Sequence, residues 1–88
     1  MMLPENALRF EVVRKFTPLG VPVNMEVGLV PREGLEMRPF CRRLLEKHEG
    51  QKFEGAWKVI LSDSAEKEVY VYTIDDLSAD RKAESNET

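Results

Sequence analysis

The chain has 88 residues, 42% of them hydrophobic and 33% charged, with a formal net charge of −3. This is room for one domain with a modest core, too apolar for a disordered polyelectrolyte and too acidic for an ordinary nucleic-acid-binding domain. A single cysteine excludes an internal disulfide. No stretch approaches the ~20 apolar residues of a membrane span, and MMLPENALRF lacks the basic start and apolar run of a signal peptide. The expectation is a cytoplasmic chain with no membrane partner. The closing triplet Asn86-Glu87-Thr88 matches a glycosylation acceptor and is read as chance.

Charge is unevenly spread. Residues 1–31 balance three basic against three acidic groups, residues 32–58 carry seven against five, and residues 63–88 carry three against eight. Such polarity can orient the chain on a partner without naming it.

In chain order, Leu8 to Phe16 (LRFEVVRKF) and Val21 to Leu29 (VPVNMEVGL) both alternate with the two-residue period of half-buried strands. Thr17-Pro18-Leu19-Gly20 supplies turn residues between them. Taking those four as the loop sets Leu8 opposite Leu29, Phe10 opposite Val27 and Val12 opposite Met25. One face is then apolar and the other wet. Gly28, inside the second strand and opposite Arg9, has no explanation in that register.

Met37, Phe40, Cys41, Leu44, Leu45 and His48 fall at i, i+3, i+4, i+7, i+8 and i+11, the stripe of an amphipathic helix over about 36–49. Pro39 is acceptable only in the first turn, and Gly50 suits the stop. Two further strands follow, Ala56 to Ser62 and Glu68 to Ile74. An odd-length turn leaves Tyr70 and Tyr72 on the face away from Trp57, Val59 and Leu61; an even-length turn sets them beside those residues. Both registers make a plausible core. Residues 77–88 read as an acidic polar tail beyond a compact domain of residues 1–76. A short helical turn is capped by Asp75 or Asp76, and disorder is expected past Lys82.

The fold class is therefore α+β with the order β-β-α-β-β. Two antiparallel hairpins form a four-stranded sheet or a partly closed barrel, covered by one amphipathic helix. Phe10, Val12, Val23, Met25, Val27, Phe40, Leu44, Leu45, Trp57, Val59 and Leu61 make up the expected core.

No catalytic constellation emerges, and the expectation is a protein that is not an enzyme. Cys41 and His48 lie seven residues apart on one helix, about 10 Å along its axis, whereas a nucleophile and its base need a separation of about 3 Å. One cysteine and one histidine cannot build a zinc tetrad, and Asp75, Asp76 and Asp80 lack calcium-loop spacing. No cofactor is implied. An enzyme of this length would have to assemble its site across a dimer interface.

The other side of the helix carries Arg38 and Arg42 at i, i+4, with Arg43 and Lys47 as a second such pair; Lys52 lies nearby. Together with Tyr70 and Tyr72 these are the candidate partner-binding residues. Guanidinium forks suit phosphates, and exposed tyrosines suit stacking. The leading expectation is a small non-enzymatic protein-binding module: an adaptor, accessory subunit or inhibitor. A homodimer through an edge strand is one form of it. The alternative is a nucleic-acid-associated protein using the basic helix face.

Overall fold

The computed structural model describes residues 6–15, 22–49 and 55–85. Four strands form one open antiparallel sheet, and two helices lie on one side of it. The strands are β1 (Ala7–Lys15), β2 (Pro22–Pro31), β3 (Lys58–Ser62) and β4 (Glu68–Thr73); the helices are α1 (Met37–Glu49) and α2 (Ile74–Ser85). The strand order is β2-β1-β3-β4, so the first strands of the two hairpins meet at the centre. The expected α+β class and element order hold. The sheet is not closed into a barrel, and a second helix completes the order β-β-α-β-β-α.

The first hairpin departs from the simple register by one residue along most of its length. Leu8 faces Val30, Phe10 faces Gly28 and Val12 faces Glu26; a β-bulge then restores the expected alignment, with Val13 opposite Asn24. The bulge adds a residue to β2 at Met25, a device that alternation in the sequence does not reveal. Its consequence is large, because a one-residue shift moves side chains between faces. Val27 and Leu29, placed in the core or against it by the simple register, instead lie on the side away from the helices and are 47% and 54% exposed. Gly28 moves beneath Phe10. A Cβ built there would sit 2.6 Å from Phe10 Cζ, so the ring occupies the space a side chain would need. Phe40 meets that ring edge-on, at 5.6 Å between centroids and 77° between planes. The turn expected over Thr17–Gly20 and the stop at Gly50 lie outside the described residues.

The second hairpin takes the even-length register: Val59 faces Tyr72 and Leu61 faces Tyr70, with a bulge after Leu61. Both tyrosines therefore point to the helices. The turn between these strands is held by Asp63, whose carboxylate accepts the backbone N–H groups of Ala65 and Lys67, both at 2.9 Å. Glu66 in that turn has a φ of 63°, the left-handed region.

The core joins Leu8, Val12, Val59, Leu61 and Tyr72 of the sheet to Cys41 and Leu45 of α1 and Leu77 of α2. Burying side chains of this size contributes about 1.5–3 kcal/mol each. Helix α1 keeps its expected span, with Pro39 in its first turn and the Phe40 N–H closing on Glu36 O.

Helix α2 begins two or three residues earlier than a cap at Asp75 or Asp76 would set it. Thr73 is the cap: its N–H donates to Asp76 Oδ2 at 2.9 Å, and Asp76 N–H returns a bond to Thr73 Oγ1 at 3.3 Å. This reciprocal pair is a capping box built with aspartate. The helix runs to Ser85, past the point at which disorder was expected, and its Leu77 is only 1% exposed. The fold thus extends beyond Asp76.

Candidate functional site

Helix α1 turns its basic side outward, and α2 lies against it. Arg38 grips Asp80 with two nitrogens, Nη2 at 2.7 Å and Nε at 3.0 Å from Oδ1. Tyr72 donates its hydroxyl to the other carboxylate oxygen at 2.6 Å, and the Arg38 guanidinium stands 5.4 Å from the Tyr72 ring centroid. Arg42 holds both oxygens of Glu84, with Nη2 at 2.9 Å from Oε2, and lies 3.4 Å from Glu46 within its own helix. Charge also crosses in the other direction: Arg81 of α2 reaches Glu49 at 2.6 Å and Glu46 at 3.2 Å on α1. Bidentate forks of this kind fix orientation as well as adding energy.

These contacts set the carboxyl groups. Asp80 is held below the usual aspartate value by the Arg38 hydrogen bonds and then by Tyr72. Glu84 is lowered by Arg42, and Glu49 by Arg81. On the far side of α1, Lys47 reaches Glu26 of β2 at 3.0 Å, and His48 Nε2 lies 2.7 Å from the same oxygen. His48 and then Lys47 lower Glu26. His48 itself is buried.

The candidate partner residues are therefore not gathered into one accessible basic site. Arg38, Arg42 and Lys47 are engaged by carboxylates of α2, α1 and β2. Arg43 is exposed and has no ion-pair partner among the described residues. Lys52 lies outside the described residues. Tyr72 is fully buried beneath the helices and Tyr70 is half-buried on the same side, so neither forms a stacking platform on the open side of the sheet. A phosphate approaching Arg38 or Arg42 has to displace a carboxylate already in place.

Burial pushes the Cys41 thiol up to about 12, which keeps it protonated and unreactive at neutral pH. No group of three His, Cys, Asp or Glu side chains among the described residues converges as a metal site. A hollow of about 190 Å³ lined by Asn6, Ala7, Leu29, Val30 and Pro31 is smaller than the ~300 Å³ at which ligand pockets begin. No helix among the described residues is long and apolar enough to cross a membrane.

What reading the sequence missed is the face of the sheet turned away from the helices, where Val13 is buried at one end while Val27, Leu29 and Val71 stay exposed. One row across it runs Val27, Glu11, Ile60, Val71, by direct cross-strand pairing. Among the described residues, Val27 and Leu29 at one margin and Val71 at the other are the exposed large hydrophobic residues. Between them Glu11 is paired with Arg9 within β1. The only signal in the sequence was Gly28, the residue the simple register left unexplained. No protein-family model, curated protein or solved structure matches this chain.

Proposed function

We propose that the chain is a small non-enzymatic protein-binding module that meets its partner through the face of the sheet turned away from the helices. The observation carrying this reading is the placement of Val27, Leu29 and Val71 on a side that neither helix covers, at 47%, 54% and 37% exposure. Apolar side chains at the margins of a face whose central charges pair internally supply the anchors of an interface at low desolvation cost. The basic side of α1 is the weaker candidate, because two of its arginines, Arg38 and Arg42, are already engaged by α2.

The test compares the two sides directly. Val71→Lys is expected to abolish capture of the partner that accompanies the wild-type chain from its native host. Arg42→Glu combined with Arg43→Glu is expected to retain it. The opposite pattern, or nucleic acid recovered in place of a protein, overturns the reading in favour of the basic helix face.

A further inference from the structure

The outer edge of β2 carries a second feature that coincides with the exposed side chains. Arg32 donates its N–H to Asn6 O at 2.7 Å, which marks Asn6 and Arg32 as a hydrogen-bonded pair. Antiparallel pairs alternate, so the pairs Leu8–Val30, Phe10–Gly28 and Val12–Glu26 also direct their backbone groups at each other. The residues between them on β2, Val27 and Leu29, must direct their N–H and C=O groups away from β1. Pro31 takes the matching position at the strand end, where the missing N–H costs nothing to the β1 ladder.

β2 is an outer strand of the sheet. Backbone donors and acceptors without a strand partner among the described residues thus coincide with two of the three most exposed large hydrophobic side chains. The other outer strand, β4, is better guarded: its Thr73 N–H is occupied by Asp76 Oδ2, and Glu68 stands at its start. An edge with exposed valine and leucine and no charge at Val27, Gly28 or Leu29 lacks the usual protection against pairing.

We infer that β2 pairs antiparallel with β2 of a second copy of this chain, about a two-fold axis at Gly28. The inference rests on the binding-module reading, whose exposed Val27 and Leu29 it uses, and adds a second copy of the chain beside the heterologous partner met at Val71. In this register Val27 of each copy faces Leu29 of the other, and both pairs exchange their outward N–H···O bonds. Gly28 faces Gly28 at the close Cα spacing of a non-hydrogen-bonded pair, about 4.5 Å. The four exposed apolar side chains become neighbours on the face turned away from the helices. Glu26, the nearest charge, faces Val30 of the other copy, so no like charges oppose one another. The contact is isologous and therefore closes at two copies. Its seam is short compared with a standard interface, so the dimer dissociates on dilution.

Sedimentation velocity and amide exchange by NMR on the full chain, between about 10 µM and about 1 mM, provide the test. The expected result is a rise toward dimer mass with concentration. Exchange at the Val27 and Leu29 amides slows at least about tenfold over that range, because these groups are bonded only in the dimer. A mixture of differently labelled copies shows an intermolecular contact between the Gly28 Hα protons. Leu29→Pro removes one outward donor without touching the β1 ladder and returns the chain to monomer; Val71→Lys, on the opposite margin, leaves the dimer intact. Should Leu29→Pro fail to fold, Val27→Lys with Leu29→Lys sets like charges across the seam and gives the same expected loss. A wild-type monomer throughout, or a dimer lacking the Gly28 contact, overturns the inference. If Val71→Lys still removes a heterologous partner from such a monomer, the module reading stands alone; a β2 dimer whose partner capture ignores Val71→Lys leaves the pairing standing and that reading overturned.

Discussion

Replacing Gly28 by alanine tests the register of the first hairpin, on which the exposure of Val27 and Leu29 depends. The new Cβ would begin 2.6 Å from Phe10 Cζ and 2.7 Å from Phe10 Cε2, whereas ordinary carbon contacts lie at about 3.5–4.0 Å. The ring tip must therefore retreat by about 1 Å. Its edge-on contact with Phe40 opposes that movement. A forced departure from the rotamer costs about 0.5–1.5 kcal/mol, and the weakened aromatic contact a similar amount. Against this, alanine recovers about 0.5–1 kcal/mol over glycine in a strand. The net expectation is a loss of about 1 kcal/mol for Gly28→Ala, the balance of those terms. In a Phe10→Leu background the clash is gone, and the same substitution stabilises by about 0.5 kcal/mol. Urea unfolding at low micromolar concentration, followed by Trp57 fluorescence, gives all four corners of the cycle. The expected coupling is about 1.5 kcal/mol. A coupling within about 0.3 kcal/mol of zero, the ordinary scatter for independent sites, refutes the packing of Phe10 on Gly28.

Three further outcomes follow from the same structure. Glu66→Gly relieves a left-handed backbone at φ 63° and should stabilise the chain by about 1 kcal/mol, raising Tm by about 4–8 °C in thermal unfolding. Native Cys41, its thiol pushed up to about 12 by burial, should resist a disulfide reagent at pH 8 and react at once in denaturant; rapid native labelling contradicts its placement. Asp80, Glu84 and Glu49 all titrate below their ordinary values of 3.8, 4.5 and 4.5, so their contribution is present above those values and disappears as pH falls through the lower folded ones. Acidification below about pH 4 should accordingly raise amide exchange in α2 before the sheet opens, and α2 persisting unchanged at pH 2 contradicts the ion-pair account.

The parts of the fold legible in the sequence are those with a strong local period. The stripe from Met37 to His48 marks α1, and alternation marks the strands. Register was less accessible. Both sides of β4 are apolar, so alternation cannot choose between Val69 with Val71 and Tyr70 with Tyr72; packing against α1 and α2 decides it. In β2 the bulge at Met25 shifts everything beyond it by one residue, and nothing in an alternating segment announces where an extra residue will be absorbed. Helix α2 was hidden for a different reason. It buries little besides Leu77 and Ile74, and its charged side chains pair with residues far away in sequence, Arg38 with Asp80 and Arg42 with Glu84. The same contacts explain why the basic face looked available: the arginines are visible locally, whereas their partners arrive only with the tertiary fold. The Thr73-Ile74-Asp75-Asp76 box was a signal within reach, since a threonine three residues before an acid commonly opens a helix.

The two sides of the molecule differ in how free they are to make contact. Hydrogen exchange across the full chain, alone and bound to the partner recovered with it, measures this most directly. Added protection in β2 and β4, centred on Val27, Leu29 and Val71, with α1 unchanged, is the predicted footprint. Protection confined to Arg38 through Lys47, with β2 and β4 exchanging as in the free chain, would contradict it.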